Sequence, residues 1–245
     1  MILTIDIGNT DTKAASFSLD GKILGDTREP SQGDFLKLPS LLETRYEKIV
    51  ISSVVPARLE KVLELVNKKS DCVHVASEKS PWSFAIETEQ PEKTGHDRLA
   101  NLEGAIRFGA YAIVIDAGTA TKLDVLEGME KKRFPGGVIA PGVGISFEAL
   151  LAKTAQLPRI ELDKHSPVIG YNTETAMRSG VVHGFAAMVD GMVMRIFEER
   201  KLPMQTAVIA TGGFSKFLST RARLVTHFAP KLSLEGLYAL SPKFI

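Results

Sequence analysis

One local pattern occurs twice and constrains the chain more than anything else in it. An apolar strand runs into Asp, then one further residue, then Gly, with Thr within two more positions. The first copy is Ile2-Leu3-Thr4-Ile5-Asp6-Ile7-Gly8-Asn9-Thr10, and the second is Ala112-Ile113-Val114-Ile115-Asp116-Ala117-Gly118-Thr119. Each continues into another strand-like run, residues 13–19 and 122–126, closed by the turn pairs Asp20-Gly21 and Glu127-Gly128. A strand–turn–strand unit heading each half of a 245-residue chain implies an internal duplication at domain scale. Around these units the pattern alternates. Residues 41–47 are expected as helix and 48–55 as a buried strand stopped by Pro56. Leu59, Val62, Leu63, Leu65 and Val66 give residues 58–69 helical spacing, and 71–76 is a short strand. In the second half, helices are expected at 144–153, 173–184 and 185–200, with a strand at 206–210. The fold predicted is α/β: two related halves, residues 1–108 and 109–245, each a mixed sheet covered by helices.

Asp-x-Gly turns carry chemistry when phosphate is near. Gly8 lets the backbone approach an anion, and Asn9, Thr10 and Thr12 add donors. Asp6 is acceptor-only and has to act through a cation or its water shell, while Lys13 offsets phosphate charge. Taken alone, the octapeptide fits an Asx-type turn equally well. Its repetition at Asp116 favours the phosphate reading. Neither copy is a Walker P-loop, because no Gly-Lys-Ser/Thr follows a glycine-rich turn. Between the copies lies Gly95-His96-Asp97-Arg98. Asp97 is a candidate proton acceptor for a substrate hydroxyl, and Arg98 offers a fork suited to a carboxylate. The same residues also suit a helix N-cap ahead of 99–108.

The set of motifs, in order, resembles the type III pantothenate kinases, relatives of the Bvg accessory factor, within the superfamily of actin, sugar kinases and acetate kinase. The resemblance rests on Asp6-Ile7-Gly8-Asn9-Thr10, Ser53-Val54-Val55-Pro56, Gly95-His96-Asp97-Arg98 and Asp116-Ala117-Gly118-Thr119-Ala120-Thr121. It continues through residues 136–142 and 154–158, Gly170-Tyr171-Asn172-Thr173, Ala210-Thr211-Gly212-Gly213 and Leu234-Glu235-Gly236-Leu237. It implies duplicated actin-like (ribonuclease H-like) domains with an ATP cleft between them. It also implies phosphorylation of pantothenate to 4′-phosphopantothenate, the first step towards coenzyme A. Asp97 would accept the hydroxyl proton, and Gly95, His96, Arg98 and Thr173 would hold the substrate. Asp6, Ile7, Gly8, Asn9, Thr10, Asp11, Thr12, Lys13 and Thr119 would bind ATP with Mg²⁺. Asp116 would ligate a monovalent cation, K⁺ or NH₄⁺. A homodimer is implied as well. Two rivals accompany this reading: another small-molecule kinase on the same fold, and a non-catalytic nucleotide-binding regulator. Three residues depart from the family pattern: Thr88, His96 and Lys122. Lys122 replaces the second Thr of a Thr-Thr pair, and either adds a phosphate contact or points to solvent.

The remaining features bound the setting. Net charge is +1, so no strong field points to nucleic acid or an anionic membrane. A single cysteine, Cys72, allows no intramolecular disulfide, and it is read as lying in an apolar strand without a nearby His. No signal peptide or stretch of spanning length is recognised, so a cytoplasmic protein is expected. The histidines lack metal-ligand spacing, Trp82 is expected as a packing anchor, and residues 127–133 as a solvated hairpin tip. Met188, Met192 and Met194 are expected in the core or a dimer contact.

Overall fold

The structure, a computed structural model, describes residues 1–153, 157–162 and 166–244. Residues 154–156 of the motif at 154–158, and His165, lie outside the described residues. The chain forms two compact units: Met1–Arg107 with Gly128–Pro135 and Lys231–Ile245, and Phe108–Glu127 with Gly136–Pro230.

The first unit is built on β1 (Ile2–Ile7), β2 (Asp11–Phe17), β3 (Ile23–Pro30), α1 (Leu38–Leu41), β4 (Lys48–Ser53), α2 (Pro56–Val66), β5 (Val73–Val75), β6 (Ala85–Ile86) and α3 (His96–Ala105). Its sheet runs β3-β2-β1-β4-β5, antiparallel on the β2 side of β1 and parallel on the β4 side. β1 is buried along its whole length, which explains its nearly unbroken apolar run. Leu3, Ile5 and Ile7 pack with Ile49, Ile51, Val62 and Val66. Thr4 and Asp6 alternate with them and face the opposite side of the sheet.

The second unit repeats this order. Its strands are β7 (Ala112–Ala117), β8 (Ala120–Glu127) and β9 (Arg133–Pro141), whose first residues belong to the first unit and pair with β6. Then come α4 (Val143–Ala152), α5 (Thr173–Arg200), β10 (Ala207–Thr211), α6 (Ser215–Ser219) and β11 (His227–Phe228). The strands lie in the order β9-β8-β7-β10-β11, again antiparallel between β7 and β8 and parallel between β7 and β10. The duplication inferred from two Asp-x-Gly turns thus extends through five strands of each sheet, the second sheet being six-stranded with β6 added beyond β9. The last helix, α7 (Leu232–Leu240), returns to the first unit, where Tyr238 stacks on Phe17 at 4.7 Å.

Four expectations are corrected. Residues 42–47 are not helical; α1 begins earlier, with Pro39 in its first turn, and Tyr46 instead ties its N–H to the Lys69 carbonyl at 2.8 Å. Helices 173–184 and 185–200 are one, because Gly184 lacks the steric block of Pro and its neighbours Val182, Phe185, Ala186 and Val189 are held in the core. That single helix is long and apolar enough, by length and composition, to cross a membrane, although its Phe185–Val189–Val193–Ile196 face is core. Glu127 is not part of a solvated tip: its carboxylate is buried and takes Arg200 Nε at 3.1 Å.

Candidate active site

The loop after β1 is fixed from three directions. Gly8 N–H donates to the Asp11 carbonyl at 3.0 Å, closing the turn. Ser31 then laces the loop to the end of β3: its Oγ donates to the Gly8 carbonyl at 2.6 Å, and its N–H to that of Thr10 at 2.7 Å. Thr12 is buried with its hydroxyl 3.1 Å from the same Ser31 Oγ, so it supports the loop from within, while Asn9 and Thr10 are exposed. Asp11 pairs with Arg28. Asp6 is only 5% exposed, and hydroxyls of Ser52 and Ser233 donate to its two oxygens at 2.6 and 2.7 Å. Each serine satisfies one oxygen and fixes the rotamer, which a buried carboxylate requires. Lys13 stands directly across the hairpin from Asp6 in the β1–β2 register.

The Gly95 turn meets the same end of this sheet. Val54 donates its N–H to the Ile7 carbonyl at 3.0 Å, and Val54 Cγ1 lies 3.7 Å from where a Cβ on Gly95 would sit. That Cβ would also fall 2.6 Å from Asp97 Oδ1, so a side chain at position 95 would displace the Asp97 carboxylate. Gly95, not Asp97, is the N-cap of α3. Asp97 occupies the first turn, where the helix dipole favours a carboxylate, and its Oδ1 accepts the Arg98 N–H at 2.9 Å. The Arg98 guanidinium lies 5.3 Å over the Phe134 ring. Gly95, His96, Asp97 and Arg98 are all half-buried. Thr88, one of the departures noted in the sequence, has its hydroxyl 3.3 Å from that of Thr94.

In the second unit the loop after β7 is enclosed by two other glycine motifs. A Cβ on Gly142 would come 2.4 Å from the carbonyl oxygens of Gly118 and Thr119, and one on Gly212 would come 2.5 Å from Asp116 Oδ1. Gly212 also has φ +91°, a conformation that excludes most other residues. Phe214 N–H closes the arrangement on the Ala117 carbonyl at 2.9 Å. Three motifs far apart in sequence, around Asp116, Gly142 and Gly212, therefore converge on one loop. Thr119 is exposed at its tip. Lys122 neither reaches out alone nor points to solvent; its Nζ lies 3.0 Å from Asp116 Oδ2. Thr173 is exposed at the first turn of α5, behind a capping box in which Asn172 Oδ1 accepts the Thr175 N–H at 2.9 Å.

One residue was misjudged from sequence. Cys72 does have a histidine beside it, with His74 Nε2 3.1 Å from its sulfur. Burial, with Lys48 adding, holds the His74 imidazole below its usual range. The ring stacks on Phe244 at 4.1 Å. Among the described residues no group of three or more His, Cys, Asp or Glu is placed to hold a metal ion.

Comparison with known proteins identifies a family and a fold. The profile of a family described as type III pantothenate kinase matches residues 2–195. A type III pantothenate kinase of Bacillus cytotoxicus is 35% identical over 256 aligned positions, spanning 98% of this chain and 95% of that protein. Two crystal structures share the fold. One, a conserved protein from Campylobacter jejuni assigned to the Baf family of transcriptional activators, has a TM-score of 0.62 at 19% identity, with 98% of each chain covered. The other, from Sinorhizobium meliloti and assigned as a 2-dehydro-3-deoxygalactonokinase, has a TM-score of 0.57 at 12% identity, covering 100% of this chain and 97% of that one. At such identities they establish the architecture alone, the actin-like fold of sugar kinases.

Proposed function

The chain belongs to the type III pantothenate kinase family, and on that premise we propose which residues carry its reaction. The reaction is transfer of the γ-phosphoryl group of ATP to pantothenate, giving 4′-phosphopantothenate at the entry to coenzyme A synthesis, with Mg²⁺ accompanying the nucleotide. Asp97 accepts the proton of the pantothenate hydroxyl. Gly95, His96 and Arg98 hold the substrate, with Arg98 suited to its carboxylate, and Thr173 contacts it from a separate segment. Residues 6–13 bind ATP: the Gly8 backbone approaches the phosphates, and Lys13 and the exposed Asn9 and Thr10 supply donors. Thr119 adds a contact from the second loop. Mg²⁺ fits a site held mainly by phosphates and water, which Asp6 faces through the lone pairs its two serines leave. When bound, the ion offsets charge on the transferred group. The reading also places the enzyme in the cytoplasm as a homodimer, without nucleic-acid or membrane partners.

The observation that supports the assignment best is the Gly95 turn. It sets Asp97 in the first turn of α3, and Gly95 itself lies beside Val54, whose N–H is bonded to the end of β1. Replacing the carboxylate by its amide keeps the shape and removes the base. Asp97→Asn is expected to lower turnover at least about a hundredfold while calorimetric ATP affinity is kept. Turnover close to wild type would reject Asp97 as the base.

The same reading requires one positive charge beside Asp116, which the resemblance supplies as K⁺ or NH₄⁺. The residues present do not fit a separate ion there. Asp116 Oδ2 already faces an ammonium, Oδ1 backs on the Gly212 turn, and a second unit charge about 4 Å from Lys122 costs on the order of 4 kcal/mol at an effective dielectric of 20.

A further inference from the structure

We propose that Lys122 is a built-in substitute for the monovalent cation, so that this chain needs neither K⁺ nor NH₄⁺ for turnover. The inference rests on the reading that Asp116 requires a single positive charge when the nucleotide is bound. Its physical basis is the hairpin itself. Asp116 and Lys122 are direct cross-strand partners in the antiparallel β7–β8 register, so their side chains leave the same face of the sheet. The Nζ–Oδ2 separation is 3.0 Å. Both side chains are largely withdrawn from water, at 15% and 14% exposed, so salt screens this pair less than an open surface pair.

A lysine ammonium carries the same charge as the ion, on a nitrogen with three protons to donate. Tethered on β8, it is delivered by folding instead of by mass action. The loop gives it a defined target. Gly212 closes over Oδ1 and Gly142 packs on the Gly118 and Thr119 carbonyls, which leaves Oδ2 to the lysine. The duplicated unit shows the alternative arrangement. There Lys13 occupies the equivalent cross-strand place, but Asp6 is held by the hydroxyls of Ser52 and Ser233. An ammonium on the aspartate is therefore specific to the second loop, and it neutralises a carboxylate that otherwise repels the nucleotide's phosphates.

The test compares wild type with Lys122→Thr and Lys122→Met in KCl, NH₄Cl, NaCl and choline chloride at equal ionic strength. Phosphorylation of pantothenate and the thermal midpoint are measured in each salt. Wild type is expected to vary by less than about twofold among the salts. The neutral variants are expected to lose at least about tenfold activity in choline, the scale of one charge-assisted contact, and to regain it in KCl or NH₄Cl. Their thermal midpoint should rise in KCl over choline, whereas that of wild type should not. A wild type that needs K⁺ overturns the proposal, whatever the variants do. So do well-folded variants that no cation rescues, since Lys122 then acts in a way a free ion does not reproduce. If wild type and variants are all indifferent to the salt and equally active, the need for charge at Asp116 falls with the proposal. The assignment of Asp97 is tested separately by its amide variant.

Discussion

Asp6, only 5% exposed, accepts hydrogen bonds from two serine hydroxyls, and that pairing determines what the residue can do. Fixed at both oxygens, it presents its remaining lone pairs in one direction, as a group facing hydrated Mg²⁺ must. Removing one donor leaves a buried charge partly unsatisfied, which costs about 1.5–3 kcal/mol. Ser233→Ala is therefore expected to lower kcat/KM for MgATP by roughly ten- to a hundredfold with pantothenate saturating. A variant with a lower thermal midpoint but unchanged ATP kinetics would show Ser233 to be a packing residue only. Asp6 and Gly8 were legible in the sequence because the Asp-x-Gly turn is local and occurs twice. Ser31, Ser52 and Ser233 were not, because the atoms they hold lie 23, 46 and 227 residues away along the chain. The Cys72–His74 pair was within reach of sequence reasoning, since alternate residues of an extended segment share a face.

Among the elements, α3 and α7 pack most closely, and glycine is the reason they can. A Cβ on Gly104 would lie 2.5 Å from the Leu232 carbonyl oxygen, and one on Gly236 only 1.8 Å from that of Ala100. The helices meet backbone to backbone, and α7 thereby brings Ser233 to Asp6 and sets Leu237 and Leu240 against Val50 and Ala100. Gly236→Ala has no flexible side chain to displace, so the helices must part. The expected loss is about 3 kcal/mol, or roughly 10 °C in thermal midpoint for a chain of this size. A midpoint within about 2 °C of wild type would show that the contact yields more easily than its geometry implies. Element types were legible wherever apolar periodicity was strong, as in β1, β4, α2 and β7. Boundaries failed where composition misleads: Gly184 looked like a helix end within α5, and 42–47 like a helix. In both places the tertiary setting outweighs local propensity.

At the scale of the whole molecule, the duplication was readable from its two turns, but the return of Lys231–Ile245 to the first unit was not, because no local signal marks which core a C-terminal helix will join. The inferred homodimer is a property of this scale too, and Thr173 gives it a functional test. Thr173 stands exposed at the start of α5, preceded by Val168, Ile169 and Tyr171, which are 73%, 85% and 81% exposed. So apolar a segment beside a proposed substrate contact is suited to cover by a second copy. If Thr173 serves the partner's site, each site joins Asp97 of one copy to Thr173 of the other. Asp97→Asn and Thr173→Ala proteins, each impaired alone, then complement on mixing. A heterodimer places both lesions in one site and leaves the other whole. With random exchange of subunits, half the dimers are mixed and activity recovers to about a quarter of wild type. Recovery no greater than the average of the separate variants, with sedimentation showing that subunits did exchange, would confine Thr173 to its own copy's site. A protein that sediments as a monomer at assay concentration, yet turns over at full rate, would remove the dimer from the mechanism.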